Sequence, residues 1–474
     1  MNMFHNEVTG FYRKVLNNER KFLFTPMANI SIAAHLNGRV DEDTLRRAID
    51  KVRIIHPLAA ARVVIDSDRS VCFHIDNVPE IPLRVVERQT DSQWFEEVWH
   101  EQQIPFDQLT GPLLRFVLIK SPQISDLVVF AQHGICDGTG LAYLMRDVLV
   151  HLGSPEMKSE PLPSSLLLTP GNLPHGIREN PVVKLLRKIY SRQLNNKWRK
   201  NPFFFDVEDF HAIHDAFFEN YTYHLVTMEL SATETEELIT TCRKQNVSVN
   251  SSLTTACIAA YNDVVAPLQG NKRKVAIPMD MRKRLGRDVG DVLDLYVGTV
   301  MFDYNYDTRK SFWDNTRVFH RMAHQKMESM ACFQVMYQME DIDGTLMDIL
   351  LGFGTMSKLV QSGTSRYEKL SSFAKDQKNA ANQLAARFIK ALPGVINTNL
   401  ANMNFPERYG EIELERMYFA PATGPDYPLV IGVITTSGRL TLTLNHMEET
   451  VSTQTMSAIR NRALSFLGLA ESGL

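Results

Sequence analysis

The sequence predicts an α/β fold of two related lobes. Two observations lead there. The same local grammar (strand, Gly or Ser punctuation, capped helix) occurs near residues 28–53 and again near 222–245. Between these stretches, residues 154–181 hold six prolines and little periodicity, which reads as a linker or crossover. A chain of 474 residues is also too long for one small core. The expected division is an N-terminal lobe over 1–165, a crossover with a basic amphipathic helix over 166–221, and a C-terminal lobe over 222–474.

Each element has its own signal. Residues 28–37 alternate like a strand, and Gly38 ends it. Asp41 then caps a helix whose apolar positions are Leu45, Ala48, Ile49 and Val52. His56-Pro57 stops that helix, because the residue before proline avoids the helical region. Strands are expected at 60–65, 70–75 and 82–86, and a helix at 91–103 carries Trp94, Phe95, Val98 and Trp99 on one face. Arg115–Lys120 and Leu127–His133 read as paired strands joined at Ser121-Pro122. The helix after Asp137 places apolar residues at 141, 144, 145, 148, 149 and 152, which buries one face over three turns. In the second half, Tyr223–Glu229 is a strand, and Ser231 with Glu234 forms a capping box. Val249–Val265 is helical and Lys274–Pro278 is a strand. Segments 294–304 and 426–446 are strand-rich, and an amphipathic helix over 451–467 closes the chain.

Composition removes several function classes. Hydrophobic residues make up 44% and charged residues 22%, as in soluble globular enzymes. A formal net charge of -3 gives no global case for nucleic-acid binding. Cys72, Cys136, Cys242, Cys257 and Cys332 are scattered without a metal-ligand spacing, so reduced thiols, a cytoplasmic setting and no metal site are expected. The first 21 residues lack an apolar core, and no run is long enough to span a bilayer, so neither a signal peptide nor a transmembrane helix is expected.

The most informative stretch is Leu127–Gly138. An apolar run ends on Gln132-His133, and Asp137-Gly138 follows four residues later at the start of a helix. A histidine at a strand end has a fixed address, and its imidazole titrates near neutrality. The bland reading is a histidine packed at the end of a strand. Asp137 reads as a helix N-cap in any case. Cys136 invites a nucleophile reading, but a buried cysteine usually behaves as a small hydrophobe.

With these residues in place, the chain resembles the chloramphenicol-acetyltransferase-like superfamily, which includes condensation domains and free-standing acyltransferases. His133-x-x-x-Asp137-Gly138 is similar to its signature. Residues 36–58 resemble its first strand and helix. Pro105-Phe106-Asp107 with Gly111–Arg115 resembles the segment before the signature strand. Ile277–Arg282 contains a second motif, Asp280-x-Arg282, while Asn397–Leu400 and Gly438–Leu440 resemble later parts. Condensation domains usually have a second histidine where this chain has Gln132, and the plant-type Asp-Phe-Gly-Trp-Gly motif is absent. No carrier or adenylation module is recognised, so a free-standing enzyme is expected.

The resemblance implies two chloramphenicol-acetyltransferase-like lobes with an active-site channel between them. It implies acyl transfer from a thioester, either acyl-CoA or an acyl carrier protein, to a small-molecule alcohol or amine. His133 would be the general base. Asp137 would pair with Arg282 and hold the loop. Gly138 would allow a tight turn and is a candidate to hold the oxyanion. Asn399 and Asp280 are candidates for the substrate channel; the alternative for Asn399 is an ordinary polar strand-end residue. The CoA or phosphopantetheine thioester is a co-substrate, and no bound cofactor is implied. Amide-forming condensation on a carrier is the alternative enzyme, and a non-catalytic protein retaining the fold is the rival outside catalysis.

Two basic stretches lie outside the motif. Residues 184–200 carry Lys184, Arg187, Lys188, Arg192, Lys197, Arg199 and Lys200 without an acid. Val182, Leu185, Leu186, Ile189, Tyr190 and Leu194 form a helical stripe there. Three readings fit: a peripheral membrane contact through 182–200, attraction of an anionic donor, or a solvated face. On the first reading, a long-chain alcohol is the expected acceptor. Lys272–Lys274 with Arg282–Arg287 is the second stretch, a candidate for donor phosphates. Phe203, Phe204 and Phe205 would cover a lipid-facing mouth or lie in the core.

Overall fold

A computed structural model describes residues 10–162, 166–173, 179–333, 337, 339 and 341–469. Part of the proline-rich stretch, including Pro163 and Pro174, lies outside the described residues. Local signals translate directly into elements. The Asp41 carboxylate accepts from the Thr44 amide at 2.9 Å, and the helix runs Glu42–Ile55 with Leu45, Ala48, Ile49 and Val52 buried. Ser231 and Glu234 form the capping box of the helix Ala232–Lys244. The helix Gly138–Gly153 buries all six of its expected apolar positions. Each such side chain contributes about 1.5–3 kcal/mol on burial.

Two six-stranded mixed sheets organise the chain. The first runs, in spatial order, Arg408–Tyr409, Ile412–Ala420, Asn29–Asn37, Ile124–Gln132, Leu114–Lys120 and Leu83–Glu87. The second runs Val297–Asp303, Lys274–Asp280, Val395–Asn402, Leu429–Thr436, Arg439–Met447 and Tyr223–Leu230. Phe11–Lys14, Val71–His74 and Arg62–Ile65 make a small third sheet.

The first sheet contains a strand exchange that the local signals do not announce. Ile412–Ala420 comes from the second half of the chain, yet it pairs antiparallel with Asn29–Asn37, Phe419 opposite Ile32. The same strand is stapled to the second sheet by buried hydroxyls. Thr443 Oγ1 donates to the Phe419 carbonyl at 2.6 Å, and the Met417 amide donates to Thr436 Oγ1 at 3.0 Å. Gly432 makes this approach feasible, since a Cβ there would lie 2.4 Å from the Phe419 carbonyl oxygen.

A second join lies at the segment expected to start a strand at 294. The strand begins only at Val297. Just before it, Asp137 has captured the backbone. The Tyr296 amide donates to Asp137 Oδ2 at 2.7 Å, and the Asp137 amide donates to the Asp294 carbonyl at 3.1 Å. Neighbouring residues add to this belt. Arg13 donates to Asp294 at 2.7 Å and also pairs with Glu19. The Leu293 amide donates to His56 Nδ1 at 3.1 Å, and His56 Nε2 sits 2.9 Å from Asp147. Arg146 reaches Asp291 at 2.6 Å.

Arg282 completes the join. Its Nη1 lies 3.0 Å from Asp137 Oδ2 and 3.0 Å from Asp280 Oδ1, and both Arg282 and Asp137 are buried. Its Nη2 donates to the Val292 and Asp294 carbonyls at 3.1 and 3.3 Å. Removing one partner of such a buried pair leaves the other charge without compensation. Asp137→Ala is therefore expected to lose about 3–5 kcal/mol in denaturant unfolding. Asp137→Asn combined with Arg282→Met should lose less than the sum of the single changes; strict additivity would mean that the pair does not couple the two sheets.

Candidate active site

The strand Ile124–Gln132 stops one residue before His133. The His133 amide leaves the ladder and donates to the Ala28 carbonyl at 3.1 Å. The chain then turns through Gly134–Cys136 into the helix Gly138–Gly153. This turn brings the Cys136 carbonyl to 2.7 Å from His133 Nδ1. A carbonyl only accepts, so Nδ1 carries the hydrogen. Nε2 of the neutral ring is then the basic nitrogen, and among the described residues no group hydrogen-bonds to it.

The ring environment favours the neutral form. Burial pushes the His133 pKa below its ordinary value; the bond to Cys136 and the Asp137 carboxylate oppose that shift, and the Lys21 ammonium adds to it. Phe22 stacks on the imidazole with centroids 4.5 Å apart and planes 19° apart. Lys21 lies 4.6 Å from the Phe22 ring centroid and donates to Asn18 at 2.7 Å. Burial lowers its ammonium to about 8.

Gln132 has a structural task here. Its amide nitrogen donates to the Phe22 carbonyl, and its amide oxygen accepts from the Gly134 backbone. One side chain therefore ties the stacking residue to the turn. Phe22 sits on the short helix Asn17–Leu23. That helix is anchored by Arg20, which reaches Asp348 at 2.7 Å on the helix Gly344–Leu350.

The expected site residues separate into groups. Asp137 makes no hydrogen bond to His133. Its carboxylate is occupied by Arg282, the Tyr296 amide and the Gly140 amide, the last at 2.7 Å as the helix cap. Asp280 accepts from both the Arg282 side chain and its backbone amide, each at 3.0 Å, so it belongs to the same join. Gly138 opens the helix, where an amide has no intrahelical acceptor. A Cβ at Gly138 would meet Phe419 at 2.7 Å and Leu400 at 2.9 Å, so the exchanged strand and Val395–Asn402 both close on this point. Asn399 stands beside Leu400, donating to Asn250 at 2.9 Å and accepting from the Ala401 amide at 2.6 Å.

Other expectations change. Cys136 is fully buried, and burial raises its thiol well above the ordinary range, so a thiolate nucleophile is disfavoured there. Three side chains of the second basic stretch have structural partners. Arg282 is in the join, Arg284 donates to the Met327 carbonyl at 2.7 Å, and Lys272 bonds the Asp426 carbonyl. Phe203 stacks on Phe373 at 4.2 Å and Phe205 meets Phe353 in a tilted contact at 4.0 Å, both against the main core. Phe204 alone is exposed, under Arg69 at 4.6 Å. Phe22, Lys21, Arg13, Glu19 and Asp294 carry no motif; only their place in the fold brings them to this region.

No family model and no curated protein matches the sequence. Solved structures do match, along almost the whole chain. The TRI3 trichothecene 15-O-acetyltransferase of Fusarium sporotrichioides has TM-score 0.61 at 13% identity, over 98% of this chain and 100% of that one. The first condensation domain of the CDA synthetase has TM-score 0.59 at 12% identity, over 98% and 96%. Polyketide synthase associated protein 5 of Mycobacterium tuberculosis has TM-score 0.57 at 14% identity, over 96% and 98%. The likeness runs over nearly the full length of each chain at 12–14% identity, and it shows that the fold of two mixed sheets with packed helices is shared with these structures.

Proposed function

We propose that the protein is an acyltransferase that moves an acyl group from a thioester donor to a hydroxyl or amine, with His133 Nε2 as general base. The observation that carries this reading is the 2.7 Å contact between His133 Nδ1 and the Cys136 carbonyl, which leaves Nε2 as the free basic nitrogen. The fold is shared with a 15-O-acetyltransferase, and that favours a hydroxyl acceptor. It is shared as well with condensation domains, which keeps amide formation as the second reading. The donor would be acyl-CoA or a carrier-bound phosphopantetheine thioester.

The chemistry follows from the ring. Nε2 takes the proton of the acceptor O–H or N–H as that atom attacks the thioester carbonyl carbon. The carbonyl becomes an oxyanion, for which the unbonded first-turn amide at Gly138 is a suitable donor. Collapse breaks the C–S bond, and the imidazolium returns its proton to the leaving thiolate. An ester or amide and a free thiol result. Neither Cys136 nor any other enzyme nucleophile is needed. Arg282, Asp137 and Asp280 act through position, holding the helix that starts at Gly138.

Free-thiol release from a panel of acyl-CoAs, with and without alcohols and amines, tests the proposal. His133→Ala should lower acceptor-dependent release by about 10²–10⁴-fold with the fold retained. An unchanged rate would remove the general-base role. The base works when neutral, and its pKa is lowered. Activity should therefore rise with pH along an acid limb whose midpoint lies below about 6.5, and then level off. Lys21→Met removes a positive neighbour that opposes protonation, so that limb should move to higher pH. A limb that stays in place would show that Lys21 does not act on the imidazole.

A further inference from the structure

The helix Pro181–Lys200 is turned inside out relative to an ordinary amphipathic helix. Its inward face is largely polar. Ser191 and Trp198 are buried, and Arg187 pairs with Glu179 at 2.8 Å. Trp198 Nε1 donates to Thr345 at 2.8 Å, and Asn195 donates to the Asp341 carbonyl at 2.8 Å. These bonds fix the helix about its axis. At about 100° per residue, Val182, Leu185, Leu186 and Ile189 then point away from the protein. Val182 is 65% exposed, Leu185 60% and Leu186 62%. Of the expected stripe, only Leu194 reaches the core. Rotating the stripe inward would break every polar contact just named. Contiguous apolar exposure of this kind marks a surface that something covers.

The flank of the same helix supplies a second, independent feature. A cleft of about 270 Å³ is lined by Lys188, Arg192 and Arg199, with Ser191 and Asn196, against one acid, Asp341. That acid is already paired with Arg187. The Ser191 hydroxyl in this cleft is buried and has no hydrogen-bond partner. Lys188 and Arg192, with Arg199 (which also reaches Asp343 at 3.4 Å), surround this unused hydroxyl, a set whose chemistry suits a phosphate-type anion.

We infer that this helix docks the protein on an anionic phospholipid surface. Val182, Leu185, Leu186 and Ile189 enter the acyl boundary, and the cleft of Lys188, Arg192 and Arg199 takes a lipid headgroup phosphate. Charge selects this occupant over a second copy of the chain. A two-fold dimer would place this helix against itself, and residues 181–200 carry seven basic and no acidic side chains. Attachment is peripheral, since no helix among the described residues is long and apolar enough to cross a membrane. The inference goes beyond acyl transfer and does not depend on it.

Vesicle flotation of the full chain tests it. Wild type should float with phosphatidylserine–phosphatidylcholine vesicles, poorly with phosphatidylcholine alone, and less in high salt. Leu185→Ser with Ile189→Ser should reduce binding by about tenfold or more. Lys188→Gln, Arg192→Gln and Arg199→Gln should each cost about fivefold. The altered apolar side chains are exposed, so that variant should keep the wild-type melting temperature. Absence of flotation by wild type, or equal flotation on both vesicle types at all salt concentrations, would overturn the inference. So would a dimer on gel filtration that dissolves in the Leu185→Ser, Ile189→Ser variant, or saturable capture of an acyl carrier protein by the same face in place of vesicles.

Discussion

The structure depends on one buried carboxylate. Asp137 holds the start of a helix through the Gly140 amide, the second sheet through Arg282, and the segment before Val297 through the Tyr296 amide. A charge in that position is tolerable only when all of its acceptor capacity is used. Here the donors come from three separate parts of the chain, so the carboxylate is satisfied only in the assembled fold. Arg282 is in the same situation. Burial works against its charge, while Asp137 and Asp280 outweigh that cost and hold its pKa above the ordinary value. The pair therefore specifies how the halves meet, beyond any net stability it adds.

The exchanged strand makes the same join from the opposite side. Ile412–Ala420 completes the first sheet through ladder bonds and touches the second through Thr436 and Thr443. Phe419 from this strand fills the space that a side chain at Gly138 would need. The position where the helix opens toward the histidine is thus closed by a residue about 280 positions away in sequence, a non-local contact that forms only on completion of the fold.

What the sequence makes legible follows from range. Caps and periodicities act within a few residues, and Asp41, Ser231 with Glu234, and the apolar face of Gly138–Gly153 appear where those rules place them. The partnership of Asp137 with Arg282 came through resemblance, since nothing in their spacing encodes a contact. The strand at 412–420 and the placement of Phe22 and Lys21 on the histidine were not legible, because each depends on partners far along the chain. The helix at 181–200 shows the limit most plainly. Its stripe is visible in sequence, but which face turns inward is decided by Glu179, Asp341 and Thr345. Those partners reward the polar face.

The spacing His-x-x-x-Asp acquires a physical reason from the turn between them. The residue before Asp137 contributes the carbonyl that holds His133 Nδ1, so the carboxylate and the imidazole are bound to adjacent parts of one short turn. Fixing Asp137 between the sheets fixes the Cys136 carbonyl, and that carbonyl selects the tautomer with Nε2 free. Fewer intervening residues would leave no turn to bring the carbonyl back to the ring. A longer loop would uncouple it from the helix cap. The aspartate therefore governs the imidazole without touching it: it sets where the turn lies, and the turn sets which ring nitrogen is left unbonded.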